Sequence, residues 1–207
     1  MKKIKIFNYM LVVIAAVGGL LHGIDTLSDN NIYDSLINLS IIPMMLLPLI
    51  LEKWFKVKIN PVIETIYFVF LFFAHFLGSI INLYNIIDYY DAIMHWLSGI
   101  LSSFFAIIVL ISFKQYNPKK VWFNIVFILA VSLAIAGLWE FNEFTFDNLF
   151  NKDAQLVIPT GIDDTMQDML AAFIGSILFC IMYSYEEVTK NKLLIKYFIK
   201  ELNGSER

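Results

Sequence analysis

Long apolar runs separated by short polar breaks organise this sequence. A helix needs about 20 mostly apolar residues to cross the hydrocarbon of a bilayer. Six stretches meet that requirement, at roughly 6–24, 32–51, 61–82, 92–113, 121–146 and 164–185. The second contains Pro43 and Pro48, whose missing N–H groups interrupt a helix, so a bend is predicted there. Pro61 opens the third, where a missing N–H is no loss. After the sixth, NKLLIKYFIKEL puts Lys192, Lys196 and Lys200 on one helical face and leaves Leu193, Leu194, Tyr197 and Phe198 for the other. Residues 186–207 therefore read as an amphipathic tail lying on the membrane surface. The pattern predicts an all-α integral membrane protein, a bundle of about six transmembrane helices forming a single polytopic domain over residues 1–207.

Composition agrees. Of the 207 residues, 59% are hydrophobic and 16% charged, and the mean hydropathy is +0.71. A soluble domain keeps about a quarter of its residues charged, so this chain cannot cover a water-facing surface and belongs in a bilayer. The single Cys180 stands in an apolar run, which rules out an internal disulfide and reads as packing. The sequence contains no nucleotide-binding loop, no Cys/His metal knuckle and no nucleic-acid-like basic patch. Nucleotide, flavin and haem cofactors and nucleic-acid partners are accordingly not expected.

Charge supplies a direction. Lys2, Lys3 and Lys5, then Lys53, Lys56 and Lys58, then Lys114, Lys119 and Lys120, and finally Lys190, Lys192, Lys196, Lys200 and Arg207 occupy alternate connections, 14 of the 15 basic residues. The other connections hold only Lys152. Positive loops stay cytoplasmic, so both termini are expected in the cytoplasm. MKKIK at the start fits a signal peptide, but the apolar run is long for one and no A-x-A site follows, so the segment reads as a retained span.

On the opposite, external side lie twelve carboxylates against that one lysine: Asp25, Asp29, Asp34, Asp88, Asp91, Glu140, Glu143, Asp147, Asp153, Asp163, Asp164 and Asp168. All three histidines, His22, His75 and His95, fall there too. Residues three, four and seven apart share a helix face. Asp91, His95, Ser98 and Ser102 therefore form one stripe, Ser132, Ala136, Glu140 and Glu143 a second, and Asp164, Asp168, Ala171 and Gly175 a third. Further stripes join His75, Ser79 and Asn82, and Ala15, Gly18, His22 and Asp25. Polar faces in a membrane bundle turn toward one another or toward a water-filled cavity, and small residues beneath them allow close approach. An acidic, His-containing pocket opening outward is expected.

Plainer readings compete with this one. Asp91 caps the fourth helix, and Asp164 with Gln167 resembles a capping box on the sixth. His22 and Asp25 are interfacial, and His75 is a hydrogen-bonded structural residue. Glu140 and Glu143 resist such readings. They stand near the C-terminal end of the fifth span, where the helix dipole disfavours carboxylates, among aromatics in AGLWEFNEFTFDNLF. A proton, a His⁺, a metal or a cationic ligand has to offset them.

At these residues the chain resembles the YjdF-like family of bacterial inner-membrane proteins of unknown function. YDAIMHWLSG at 90–99, LWEFNEF at 138–144 and DDTMQDMLAAFIGS at 163–176 look like its three motif blocks, in order, on the last three spans. The resemblance covers roughly 85–180; the first three spans resemble it by hydropathy only. The matching polar positions are Asp91, His95, Gly99, Glu140, Glu143, Asp164, Thr165 and Asp168. Where the family commonly has an Arg after the first Asp this chain has Ala92, and where it commonly has a Gln before the Gly this chain has Ser98. The lost Arg removes an internal counter-charge. The resemblance implies a multi-pass protein of the bacterial plasma membrane and names no reaction.

Three functions fit these features. The first is a divalent-metal site (Mn, Fe or Zn) near the outer leaflet, with His95, Glu140, Glu143 and Asp168 as ligands. Asp91, Asp164, Thr165 and His75 then orient or cap, and a lipid head group, an envelope intermediate or another small molecule is the ligand. The second is transport of a cation or small solute, drawn by the acidic vestibule. The third is a non-catalytic membrane scaffold.

Overall fold

A computed structural model of the chain describes residues 2–56, 58–191 and 193–204. Lys192 and Arg207, counted above among the basic residues, lie outside the described residues. The helices are α1 (Lys2–Ser28), α2 (Ile32–Met45), α3 (Leu47–Phe55), α4 (Pro61–Leu71), α5 (Tyr90–Ser112), α6 (Val121–Phe150), α7 (Val157–Thr160), α8 (Asp163–Thr189) and α9 (Leu194–Gly204). Helix α4 continues as a π-helical stretch, Phe72–Ile80. Among the described residues five helices are long and apolar enough to cross a membrane, or six if α2 and α3, bent by 44°, together make one span. The bend falls between Pro43 and Pro48, where the sequence predicts it. The described residues contain no strand, and the fold is that of an all-α membrane protein.

The chain divides into two compact units, residues 1–90 and 91–207. In the first, Ala15, Ile41, Met45, Phe68 and Leu71 form a buried apolar cluster. Asn31 caps α2 by accepting from Asp34 N at 3.2 Å. Asn60 caps α4 by accepting from Val62 N at 2.9 Å, with Pro61 in the first helical position. The π-helical stretch is not foreshadowed by the apolar pattern, which its wider turn does not disturb.

In the second unit, α5 and α8 meet backbone to backbone. A Cβ added to Gly99 would lie 1.8 Å from Ala172 O, and one added to Gly175 would lie 2.0 Å from Trp96 O. Helix α6 packs against α8 and is tied to α5 by Ser102 Oγ donating to Ser132 Oγ at 3.0 Å. The serine-bearing stripes of the fourth and fifth spans therefore face each other, as their spacing predicts.

The tail differs from its expectation. Helix α9 buries Ile195, Phe198, Ile199 and Leu202, so of the apolar side expected from Leu193, Leu194, Tyr197 and Phe198 only Phe198 is buried. Leu193, Leu194 and Tyr197 stay exposed. Phe198 meets Phe104 edge-on at 5.0 Å, and Phe104 meets Phe179 at 4.8 Å. The start of α9 is held by a buried carboxylate: Glu186 accepts from Ile195 N at 3.1 Å and Lys196 N at 2.7 Å. Lys196 Nζ also donates to Glu186 O and lies 3.6 Å from Glu187 Oε2. Tyr116, in the α5–α6 connection, donates to Glu187 Oε1 at 3.2 Å. Burial pushes its phenol well above the ordinary range, so it acts as a neutral donor. Hydrogen bonds to a charged group contribute about 1.5–3 kcal/mol. Glu186→Ala is expected to release α9 by about that amount, read as faster protease cleavage at the 190–193 connection with helices α5, α6 and α8 still protected.

Candidate metal centre

The site grows from the Gly99–Ala172 contact. His95 is one turn before Gly99 on α5, and Asp91 one turn before that. Asp168 is one turn before Ala172 on α8. Helix geometry stacks such residues, so a backbone clasp at Gly99 and Ala172 brings the three side chains together. One ligand atom from each of Asp91, His95 and Asp168 lies within 4.8 Å of the other two. His95 Nε2 is 3.5 Å from Asp91 Oδ1 and 3.9 Å from Asp168 Oδ2. Metal–ligand bonds of about 2.0–2.2 Å separate tetrahedral ligands by roughly 3.3–3.6 Å. The two His95 spacings need closure of a few tenths of an ångström at most, and the aspartate oxygens, within 4.8 Å of each other, need to draw in further by side-chain rotation.

His95 and Asp168 are buried and Asp91 is half-buried. Asp91 and Asp164 stand in the first turns of α5 and α8. Neither caps in the way the sequence suggests: α8 has Ile162 at its N-cap position with no side-chain cap bond, and α5 begins at Tyr90, ahead of Asp91. Acids in a first turn are still favoured by the helix dipole. Asp91, Asp164 and Glu140 are all within electrostatic reach of Asp168, and Glu140 is within reach of His95.

Glu140 is 4% exposed. Gln155, buried in the α6–α7 connection, donates its side-chain amide to Glu140 Oε2 (3.3 Å), Glu140 O (3.3 Å) and Thr165 Oγ1 (3.2 Å). Glu140 Oε1 is buried with no hydrogen-bond partner. A carboxylate oxygen without a partner in such a place is costly, and a cation beside it would satisfy it. This orphaned oxygen and the Asp91–His95–Asp168 group both fit a divalent ion with oxygen and imidazole donors.

Glu143 behaves differently. It accepts from Trp139 Nε1 at 2.8 Å on α6 itself and is outside the three-residue group. The dipole reasoning applied to it and to Glu140 also changes. Helix α6 continues to Phe150, so both lie about two to three turns before its end, beyond the last-turn range of the dipole. His75 belongs to the first unit, where its Nε2 meets Ser40 Oγ at 3.0 Å and Ile37 O at 2.9 Å, the structural role weighed above. Thr165 serves Gln155 rather than a ligand.

Sequence reasoning missed Gln155. It stands in an irregular connection where no periodicity points to a face, and only the long polar reach of a buried Gln near an acidic cluster could have signalled it. The transport reading asks for interrupted helices at the site, whereas α5, α6 and α8 run unbroken through it.

A family model described as "Predicted membrane protein (DUF2238)" matches residues 7–187. The match is consistent with the YjdF-like resemblance and extends it across the first three spans. No curated protein and no solved structure matches the chain.

Proposed function

The chain belongs to the DUF2238 family of predicted membrane proteins, and from that premise we propose that Asp91, His95 and Asp168 hold a divalent metal ion at one face of a multi-pass membrane protein. The observation that carries this reading is the convergence of three donor atoms from two helices within 4.8 Å. Glu140 stands outside that group and supports the ion electrostatically through its unpartnered Oε1, while Gln155 holds its other oxygen. By the positive-inside asymmetry of the lysines, this face is external to a bacterial plasma membrane.

When bound, such an ion supplies Lewis acidity toward a phosphoryl or carbonyl group, which fits a lipid head group or an envelope intermediate as the molecule acted upon. The chain's own residues set the geometry. The Gly99–Ala172 clasp fixes the separation of α5 and α8, Ser102 and Ser132 fix α6 against α5, and Gln155 orients Glu140. Rigid helices of this kind hold ligands more precisely than loops do.

Purified full-length protein is expected to retain near-stoichiometric metal, or to take up Mn²⁺ or Zn²⁺ added after chelation. Binding to the folded state alone raises stability by RT ln(1 + [L]/Kd), about 2.7 kcal/mol at a hundredfold excess over Kd. A matching rise in melting temperature is expected on titration. Protein that stays folded, metal-free and thermally unchanged with Mn²⁺, Fe²⁺ or Zn²⁺ overturns the reading.

A further inference from the structure

Between Ala154 and Ile162 the chain carries no charged residue: AQLVIPTGI. The segment joins α6 to α8, two helices apolar and long enough to span a membrane, so both its ends are fixed at one membrane face. Within it, Gln155 turns inward and the large apolar side chains turn outward. Gln155 is buried on Glu140 and Thr165, while Leu156, Val157, Ile158 and Ile162 are exposed, Ile158 at 87% and Ile162 at 67%. Large apolar side chains this bare are disfavoured against water and favoured against lipid.

Two further observations identify the surface that covers them. The exposed apolar line does not stop at the loop. From Ile162 it continues down α8 through Met166, Leu170, Ile174 and Leu178, about one residue per turn along a slowly winding stripe. On a spanning helix that line is a lipid-facing stripe, and the loop extends it past the helix end. The backbone is also prepared for an apolar boundary, where unpaired polar groups are penalised. Ala154 N and Gln155 N donate to the Asp147 carboxylate at 2.7 and 3.1 Å. Ile158 N donates to Asp153 Oδ2 at 3.2 Å. Leu156 N, Thr160 N and Gly161 N donate to backbone carbonyls at 3.2, 3.0 and 2.9 Å. A loop meant for water has less need to close so many of its donors internally.

We propose that residues 154–162 form a membrane-interface element, seated among lipid head groups and the first methylenes of the acyl chains, which presses Gln155 onto Glu140 from the lipid side. The partner is the bilayer surface itself, recognised by apolar contact and not by charge. This goes beyond the metal reading and does not depend on it.

The test uses the full chain with Ile158→Cys carrying a polarity-sensitive fluorophore, in phosphatidylcholine vesicles. Cys180 is buried, so the unsubstituted chain serves as the labelling blank. Lys119→Cys, on an exposed charged connection, serves as the water-facing reference, with iodide present on both sides of the vesicle membrane because this connection belongs to the opposite face. An element buried about 5–10 Å at the interface is expected to be quenched at least about twice as strongly by a nitroxide near the lipid head group as by one near the chain end, and about fivefold less by aqueous iodide than the reference. Ile162→Cys is expected to behave alike, which covers the case that one label disturbs the loop. Iodide quenching equal to that at position 119 overturns the proposal, because the loop is then in water. Protection from both quenchers also overturns it, because protein, such as a second copy of the chain, then covers the loop. The readings are taken with and without Mn²⁺. A failed metal titration would leave the loop result standing, and a water-exposed loop would leave the metal result standing.

Discussion

Gly99→Val is expected to destabilise the second unit severely, and to remove metal retention with it. A Cβ at Gly99 would lie 1.8 Å from Ala172 O, 2.7 Å from Ala172 C and 2.9 Å from Ala172 Cα. All three obstructing atoms are backbone, so no side-chain rotation relieves the contact. Normal van der Waals separation requires the helix axes to part by about 1.5 Å. Overpacking a compliant core costs about 1–3 kcal/mol, and a rigid obstruction belongs at or above the top of that range. At about 2–4 °C per kcal/mol for a chain of this size, the melting temperature in detergent should fall by roughly 6–12 °C or more. Gly175→Val, aimed at Trp96 O and C, should match it. Gly137→Ala is the contrasting case: its nearest obstruction is Met169 Cε at 3.9 Å. Filling a helix-interior glycine there should be neutral or stabilising by about 0.5–1 kcal/mol. Comparable losses at positions 99 and 137 would mean that α5 and α8 do not meet at Gly99. The clasp also sets the site, since Asp91 and His95 continue one helix from Gly99 and Asp168 the other from Ala172. Parting the axes by about 1.5 Å adds to the closure the donor side chains already need, so metal should be lost even from the fraction that remains folded.

How much of this was legible in the sequence follows from what periodicity records. Apolar runs of spanning length located the five long helices and the bent α2–α3 pair, and Pro43 and Pro48 placed the bend, because both features depend on the local chain alone. Spacing of three, four and seven put Ser102 and Ser132 on the inward faces of their helices, and the two hydroxyls do meet. Periodicity does not give the distance between two helices. It gathered Glu143 with Glu140 on one stripe of α6, yet the Glu143 carboxylate is occupied by Trp139 on its own helix. It gave Asp91 an orienting role, although one turn of α5 already sets that carboxylate 3.5 Å from His95 Nε2; the crossing at Gly99 adds Asp168, 3.9 Å from the same nitrogen. Irregular segments gave still less. Gln155 reaches Glu140 from a connection whose course is set by the Asp147 and Asp153 carboxylates binding backbone N–H groups, a pattern without a period. The buried Glu186 and Glu187 were invisible for a related reason: their partners, Tyr116 and the first turn of α9, come from distant parts of the chain.

Asp168→Asn, compared with Glu143→Gln, separates the ligand set drawn from the structure from the one drawn from the sequence, and for Asp168→Asn two readouts should move in opposite directions. The substitution keeps shape and removes one negative charge and one hard donor from the group that faces His95. Changing a residue that only orients a metal ligand typically lowers affinity 10–100-fold, so loss of a direct ligand should lower Mn²⁺ or Zn²⁺ affinity by more than about 100-fold. Glu140→Gln, which leaves Gln155 in place but neutralises the orphaned Oε1, should fall within that 10–100-fold range. Glu143→Gln should change affinity by no more than about threefold, since its carboxylate serves Trp139 and a metal ligand's outer partners matter only when they touch the ligand. Protons compete with metal for carboxylate and imidazole, so all affinities should decline as pH is lowered, with the shallowest slope for Asp168→Asn. Without metal the sign reverses. Asp168 is buried within reach of Asp91, Asp164 and Glu140, and neutralising it relieves like-charge crowding. Metal-free Asp168→Asn should therefore melt at or above the wild-type temperature while gaining nothing from added Mn²⁺. A variant that had merely lost its fold would drop in both measurements. If Glu143→Gln were the more damaging change, the ion would sit against α6 between Glu140 and Glu143, as the helical stripe alone suggests, and the crossing of α5 with α8 would be scaffolding and not the origin of the site.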